Sequence, residues 1–191
     1  MRAIIGYIIN MIPYMIIAIP IYLIGRFIYL KIKNKKLNWY HEIVLFLFVI
    51  FIVGLASQTI IPKFESGVGG FKIIKSGIHE TNLIPFKVLV ETYNEVFING
   101  YINYFIINFL GNIILFMPFG FIIPLLWNIS NKKVIIIGFC SSLFIEICQL
   151  FLTRGTDVDD LILNTLGVLL GLLLYKLLYK KFNKYMDKFR L

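Results

Sequence analysis

Long apolar stretches alternate with short polar connections along almost the whole chain. Five of these stretches approach the roughly 20 residues that a helix needs to cross the hydrocarbon core of a bilayer. They lie at about 4–30, 43–61, 104–127, 134–152 and 161–179. The pattern therefore predicts an all-α polytopic membrane protein of about five transmembrane helices, with a longer loop between the second and third helices.

The composition supports the same class of protein. The 191 residues are 59% hydrophobic, and the mean hydropathy is +0.85. Soluble domains are usually about 45–50% apolar. Because the spans account for most of the length, we expect one membrane domain over residues 1–191.

The basic residues indicate how the helices are oriented. The formal net charge is +9, but the lysines gather in the short connections after the first and third apolar stretches and in the C-terminal tail. Such clusters are typical of cytoplasmic loops, and a nucleic-acid surface would be patterned differently. Five spans then place the N-terminus outside and the C-terminus in the cytoplasm. No nucleic-acid partner is expected, and the sequence does not indicate an oligomeric state.

The loop between the second and third spans contains the sequence GVGG at residues 67–70. Its glycines permit positive backbone angles, so a hairpin or a re-entrant segment is expected there. Residues 84–86 form an apolar patch that could enter the membrane interface. Cys140 and Cys148 have neither disulfide nor zinc spacing and are predicted to be small core residues. His41 and His79 are predicted to lie in loops without a functional role.

Polar residues occur at the junction of the last two spans, where they need an explanation. Ser142, Glu146 and Gln149 are spaced by four and three residues, so they share one helix face. After the turn, a second set of residues repeats at helical spacing: Asp157, Asp160, Asn164, Gly167 and Gly171. Polar side chains are costly against lipid, and we expect the two faces to pack together.

Glu146 is the sharpest candidate for chemistry. It could act as a general acid or base, or it could have a structural role. In that role it could be ionised in a buried pair with Arg154 that locks two helices, or protonated and hydrogen-bonded. Asp157, Asp159 and Asp160 could bind a divalent cation or cap the following helix. No established cation-binding loop is present, so neither a metal nor another cofactor is predicted. Asn112 lies in the third span, which is expected to be kinked by prolines, and its amide could face a cavity or form an interhelical hydrogen bond.

Three motifs occur in a specific order along the second half of the chain. These are N-x-x-x-F-x-P-x-G from Asn112, S-x-x-x-E-x-x-Q from Ser142, and R-x-x-D-x-x-D-x-x-x-N-x-x-G-x-x-x-G from Arg154. Their order resembles the VanZ-like family over about residues 82–171. The resemblance marks a site and leaves its chemistry open; the matching residues are Asn112, Pro118, Gly120, Glu146, Gln149, Arg154, Asp157, Asp160, Asn164 and Gly167. From the chemistry of the side chains, Glu146 is the catalytic candidate, and the ligand-binding candidates are Asn112, Gln149, Arg154, Asp157, Asp160 and Asn164.

The resemblance implies a membrane protein of the bacterial cell envelope, and the member that gives the family its name is linked to teicoplanin resistance. It implies no particular reaction, so three functions stay open. The leading hypothesis is an outward-facing site that recognises an envelope or lipid component and thereby lowers sensitivity to this glycopeptide. The chain could instead be an enzyme that acts on a membrane lipid or lipid-linked cell-wall precursor. A third possibility is a structural partner of another envelope protein.

Overall fold

A computed structural model describes the chain over residues 2–61, 64–67, 70–73, 82–152 and 156–190. Nearly all of these residues are helical, as the apolar pattern predicts. The long helices are α1 (Arg2–Ile32), α2 (Trp39–Thr59), α5 (Gly111–Leu126), α6 (Asn131–Phe151) and α7 (Val158–Met186). The shorter ones are α3 (Lys87–Tyr93) and α4 (Ile102–Tyr104). Strands β1 (Phe64–Gly67) and β2 (Gly70–Ile73) pair antiparallel around the GVGG sequence.

Within the described parts of the chain, five helical segments are long and apolar enough to cross a membrane. The third is composite, because α4 continues through a π-helical segment (Phe105–Leu110) into α5 and the whole spans Ile102–Leu126. The other four are formed by α1, α2, α6 and α7. The prediction of a five-span, all-α membrane protein is therefore confirmed. A 3₁₀ turn, Asp187–Phe189, follows α7.

Glycines bring α5 and α7 into backbone contact. A Cβ atom at Gly167 would lie 2.2 Å from the carbonyl oxygen of Ile113, and one at Gly171 would lie 2.0 Å from that of Met117. From the other side, Gly120 packs directly on the backbone of Val168. Only glycine fits such an approach, as in other small-xxx-small contacts between membrane helices. The small-residue pattern in the last span thus packs within the chain.

The two ends of the bundle differ in chemistry. The basic end, as we call it, contains the start of α2, the end of α5, the start of α6 and the chain's C-terminal turn. Here Arg26 of α1 donates two hydrogen bonds of 2.7 Å to Glu42 of α2. The opposite end, called the polar end, contains the end of α6 and the start of α7.

Two side-chain expectations are wrong. His41 lies in the first turn of α2 and not in a loop, and it is fully buried. Its Nδ1 atom lies 2.8 Å from the carbonyl oxygen of Phe189, because the C-terminal turn folds over the start of α2. Cys140 is exposed and Cys148 is half-exposed, so both face away from the bundle core. His79 is outside the described residues.

Replacing Gly171 with alanine should destabilise the protein, because the new methyl group collides with a backbone carbonyl that cannot move alone. Overpacking of this kind costs roughly 1–3 kcal/mol. Thermal unfolding of the purified protein in detergent should show a lower Tm. The matched control is Gly25→Ala in α1, where nothing lies within 4 Å of the added Cβ. Equal Tm values for the two variants would contradict the proposed contact.

Candidate binding site at the polar end

Side chains from three spans meet at the polar end. Asn112 lies at the start of α5, Glu146 near the end of α6, and Asp160 and Asn164 in the first turns of α7. Each belongs to a hydrogen-bonded contact that joins two of these helices or joins α6 to the turn before α7. We call these four residues the polar cluster. All four side chains belong to membrane-spanning helices, and all are half-buried or buried.

Glu146 ties the end of α6 to the start of α7. Its Oε2 atom accepts a 3.1 Å hydrogen bond from the backbone N–H of Asp157. The hydroxyl of Thr156 also donates to the backbone carbonyl of Glu146, at 3.4 Å. The glutamate is only 5% exposed. Arg154, the ion-pair partner considered from the sequence, is outside the described residues.

Asp160 connects α7 to the third span. Its Oδ1 atom accepts a 2.5 Å hydrogen bond from the side-chain amide of Asn112. The same amide nitrogen lies 3.1 Å from the carbonyl oxygen of Asn108, one turn earlier. Asn108 belongs to the π-helical segment and Asn112 to α5. The amide nitrogen of Asn112 therefore donates both to a backbone carbonyl of its own span and to the Asp160 carboxylate.

Asn164 forms the second bridge between α6 and α7. Its Nδ2 atom donates a 2.9 Å hydrogen bond to the hydroxyl of Ser142, which is fully buried. Its Oδ1 atom is buried and has no hydrogen-bond partner among the described residues. Buried polar atoms normally have a partner, so this acceptor has capacity to receive a further donor.

Gln149 and Asp157 lie beside the polar cluster and make other contacts. The Gln149 amide lies 3.5 Å from the carbonyl oxygen of Thr59 and so reaches α2. Asp157 is the N-cap of α7, because its carboxylate accepts from the backbone N–H of Asp159 at 2.8 Å. Capping, one of the two readings left open for the aspartates, therefore applies to Asp157.

Asn82 pairs with Asp157 and fixes the chain that precedes α3. Its backbone N–H donates to the carbonyl of Thr156 at 2.9 Å, and its carbonyl accepts from Val158 at 3.0 Å. Its side-chain amide also donates to the Asp157 carboxylate at 2.8 Å. Asn82 is not among the site residues predicted from the sequence. Its position at the start of the region that resembles the VanZ-like family is the sequence feature that could have indicated it.

Asp159 has a structural role that was not predicted from the sequence. Its two carboxylate oxygens accept from the backbone N–H groups of Phe86 and Val88, at 2.5 and 2.7 Å. The side chain is 1% exposed. It therefore satisfies the free donors at the start of α3, a helix 71 residues away in sequence from this aspartate. Capping the start of α7 needs fewer than three aspartates. The presence of three was the feature of the sequence that could have indicated a second role for one of them.

The arrangement favours a ligand that donates hydrogen bonds. Within the described ranges, no group of three or more His, Cys, Asp or Glu side chains is placed to hold a metal ion. The polar cluster contains two carboxylates, and each offers about four acceptor positions. Asn112 and the Asp157 backbone occupy only some of these among the described contacts. Hydroxyl or ammonium groups would fit the remaining acceptors.

The fold defines a multi-pass membrane protein whose polar cluster lies among its last three spans. A sequence model of the VanZ/LLP1 family matches residues 43–179, and the chain belongs to this family. The match begins in α2, so it extends beyond the region covered by the motifs. No curated protein and no solved structure shows significant similarity to the chain.

Asp159→Ala should release the start of α3, because two buried backbone donors lose their acceptor. Each unsatisfied donor costs roughly 1–3 kcal/mol, and about 1.4 kcal/mol corresponds to a tenfold change in an equilibrium constant. Hydrogen exchange should therefore be at least about tenfold faster for peptides covering Phe86 and Val88.

The control is Glu95→Ala, which removes only a side-chain contact with Asn99. Exchange around Phe86 should stay at the wild-type rate in this variant. Unchanged exchange in Asp159→Ala would mean that the carboxylate does not hold α3.

Proposed function

We propose that the chain lowers sensitivity to teicoplanin by binding a polar component of the cell envelope, namely a lipid head group, at the polar cluster. Family membership supports an envelope-associated membrane protein. The observation that carries the proposal is the buried Oδ1 atom of Asn164, which has no hydrogen-bond partner among the described residues.

The depth of the polar cluster favours a lipid over a soluble ligand. Glu146 lies fifteen residues beyond the start of α6 at Asn131, which corresponds to about 22 Å at 1.5 Å per residue. The hydrocarbon core is about 30 Å thick. If α6 enters the core near Asn131, Glu146 lies several ångströms below the opposite surface. A head group of the leaflet at the polar end could reach it from within the membrane.

Charge gives the proposed ligand a second requirement. Residues 146–160 include four acidic side chains and one basic side chain, Arg154. In the proposal, Arg154 pairs with an anionic group such as a phosphate, since a guanidinium matches phosphate geometry. Hydroxyl or ammonium groups of the same head group would donate to Glu146, Asp160 and Asn164. The orientation expected from the lysines would place this site at the outer leaflet.

A purely structural role is the competing hypothesis, and specific contacts favour it. Glu146 and Gln149 both bind backbone groups of neighbouring elements, as packing residues do. The two hypotheses differ in whether Glu146 must be a carboxylate. A packing role needs an acceptor oxygen, which glutamine also has, whereas binding to a cationic donor needs the carboxylate.

The Glu146→Gln variant separates these hypotheses in a teicoplanin susceptibility assay. A sensitive bacterial host expressing the wild-type chain should be protected. At equal membrane abundance and equal Tm, Glu146→Gln should lose most of this protection, because the charged acceptor is gone while the hydrogen bond from Asp157 can persist. Glu95→Gln is the matched control and should protect like wild type.

Full protection by an equally abundant Glu146→Gln variant would assign this side chain to packing. No protection by the wild-type chain would contradict the teicoplanin proposal itself. Arg154→Ala provides a second test in the same assay, and its loss of protection would support binding of an anionic group.

A further inference from the structure

A helical hairpin projects from the bundle beside the polar cluster. Its first arm is α3, which continues into a π-helical segment, Asn94–Ile98. Its second arm is α4 with the π-helical segment that leads into α5. The arms are joined at Gly100, whose φ of +74° suits glycine, and the Tyr101 N–H donates to the Glu95 carbonyl at 2.7 Å. We call residues 86–110 the helical hairpin.

The helical hairpin is anchored at its base. Asp159 accepts from the backbone of Phe86 and Val88. The Val88 side chain packs with Ile113 and Leu163 in a small buried cluster. The two arms also contact each other, because the Tyr104 hydroxyl donates to the Glu91 carboxylate at 2.5 Å. These contacts give the hairpin a defined position on α5 and α7.

The tip of the helical hairpin is apolar and uncovered. Residues 96–102 carry no charged side chain. Phe97 is 75% exposed, Ile98 69% and Tyr101 64%. Further down the first arm, Lys87 and Glu91 pair at 3.3 Å, which neutralises their charges. A surface of this kind is unfavourable in water, where apolar area costs about 25 cal/mol per Å².

This exposed surface continues onto the third span. Ile102, Ile106 and Ile114 are all exposed on that span, which is long and apolar enough to cross the membrane. Exposed apolar side chains on a membrane span face lipid. Phe97 and Ile98 extend this surface from the span to the hairpin tip. We therefore expect the lipid bilayer that covers the exposed side of the span to cover the tip as well.

The length of the third span places the tip at the edge of the bilayer. Ile102 lies 24 residues before Leu126, or about 36 Å at 1.5 Å per residue. A hydrocarbon core of about 30 Å leaves the tip roughly 6 Å beyond it, at the level of the lipid head groups. Tyrosines are enriched at this level, and Tyr93, Tyr101 and Tyr104 belong to the hairpin.

We infer that the tip of the helical hairpin inserts into the lipid head-group layer of the leaflet at the polar end. It binds lipid through apolar and tyrosine side chains and not through charge, because the tip is uncharged. The hairpin then lies beside the polar cluster at the membrane surface. This inference concerns a surface outside the polar cluster and does not depend on the proposed function.

Tryptophan quenching tests this location. Phe97→Trp is prepared in a chain that also carries Trp39→Phe and Trp127→Phe, and the full chain is placed in phosphatidylcholine nanodiscs. Two reference variants share this background. Lys36→Trp lies in the exposed connection after α1, and Phe139→Trp lies on the exposed side of α6 near its middle.

The tryptophan at 97 should be quenched by lipids brominated near the glycerol end of the acyl chain more strongly than by lipids brominated near the chain terminus. The tryptophan at 139 should show the opposite order. Aqueous iodide should quench position 97 several-fold less than position 36.

Strong iodide quenching at position 97, equal to that at position 36, would place the hairpin in water and overturn the inference. Protection from both iodide and brominated lipid would overturn it as well, because the tip would then be covered by a second copy of the chain or by another protein. A helical circular dichroism spectrum equal to that of the parent chain shows that each variant is folded.

Discussion

The close contact between α5 and α7 controls the geometry of the rest of the bundle. Asparagine and aspartate side chains are short, so Asn112 can reach Asp160 only if the two backbones nearly touch. Gly167 allows this, because the carbonyl of the adjacent Ile113 occupies the space where a Cβ would be. Helices in lipid gain little from hydrophobic association, and close packing with interhelical hydrogen bonds replaces it. The glycine contact therefore determines both the packing and the position of the polar cluster.

The same contact explains why the polar cluster is assembled from separate parts of the chain. The turn after α6 brings the Asp157 N–H to Glu146, and α7 then carries Asp160 and Asn164 along α5 and α6. Each of these hydrogen bonds occupies part of the donor and acceptor capacity of the side chains that form it. Among the described atoms, the Oδ1 atom of Asn164 has no hydrogen-bond partner, and the carboxylates of Glu146 and Asp160 use part of their acceptor capacity.

The fold followed closely from the sequence, because helix length and apolar composition are dictated by bilayer thickness. The α6–α7 pairing was also accessible, since helical spacing aligned Ser142 with Glu146 and Asp160 with Asn164. Asp159 and His41 were not predictable in this way. Asp159 caps a helix that is distant in sequence, and His41 is buried by the C-terminal turn. Helical periodicity describes contacts within an element and gives no information about such long-range partners.

The first turns of α7 contact both the helical hairpin and the other helices of the polar cluster. Asp159 fixes the hairpin, while Asp160, the next residue, points to Asn112. Consecutive helical residues face directions about 100° apart, which lets one short segment serve two elements. Together with the N-cap role of Asp157, these contacts give each of the three aspartates a described hydrogen-bond partner.

The most direct test of the binding site is native mass spectrometry of the intact protein released from bacterial membranes. The wild-type chain should retain a lipid whose head group has hydroxyl or amine donors. Asn164→Leu should lose this lipid while remaining folded, although its Tm falls because the hydrogen bond to Ser142 is also lost. The Asn99→Leu variant, changed at an exposed position of the hairpin, should retain the lipid. Equal lipid retention by wild type and a folded Asn164→Leu variant would contradict a ligand-binding role for the polar cluster.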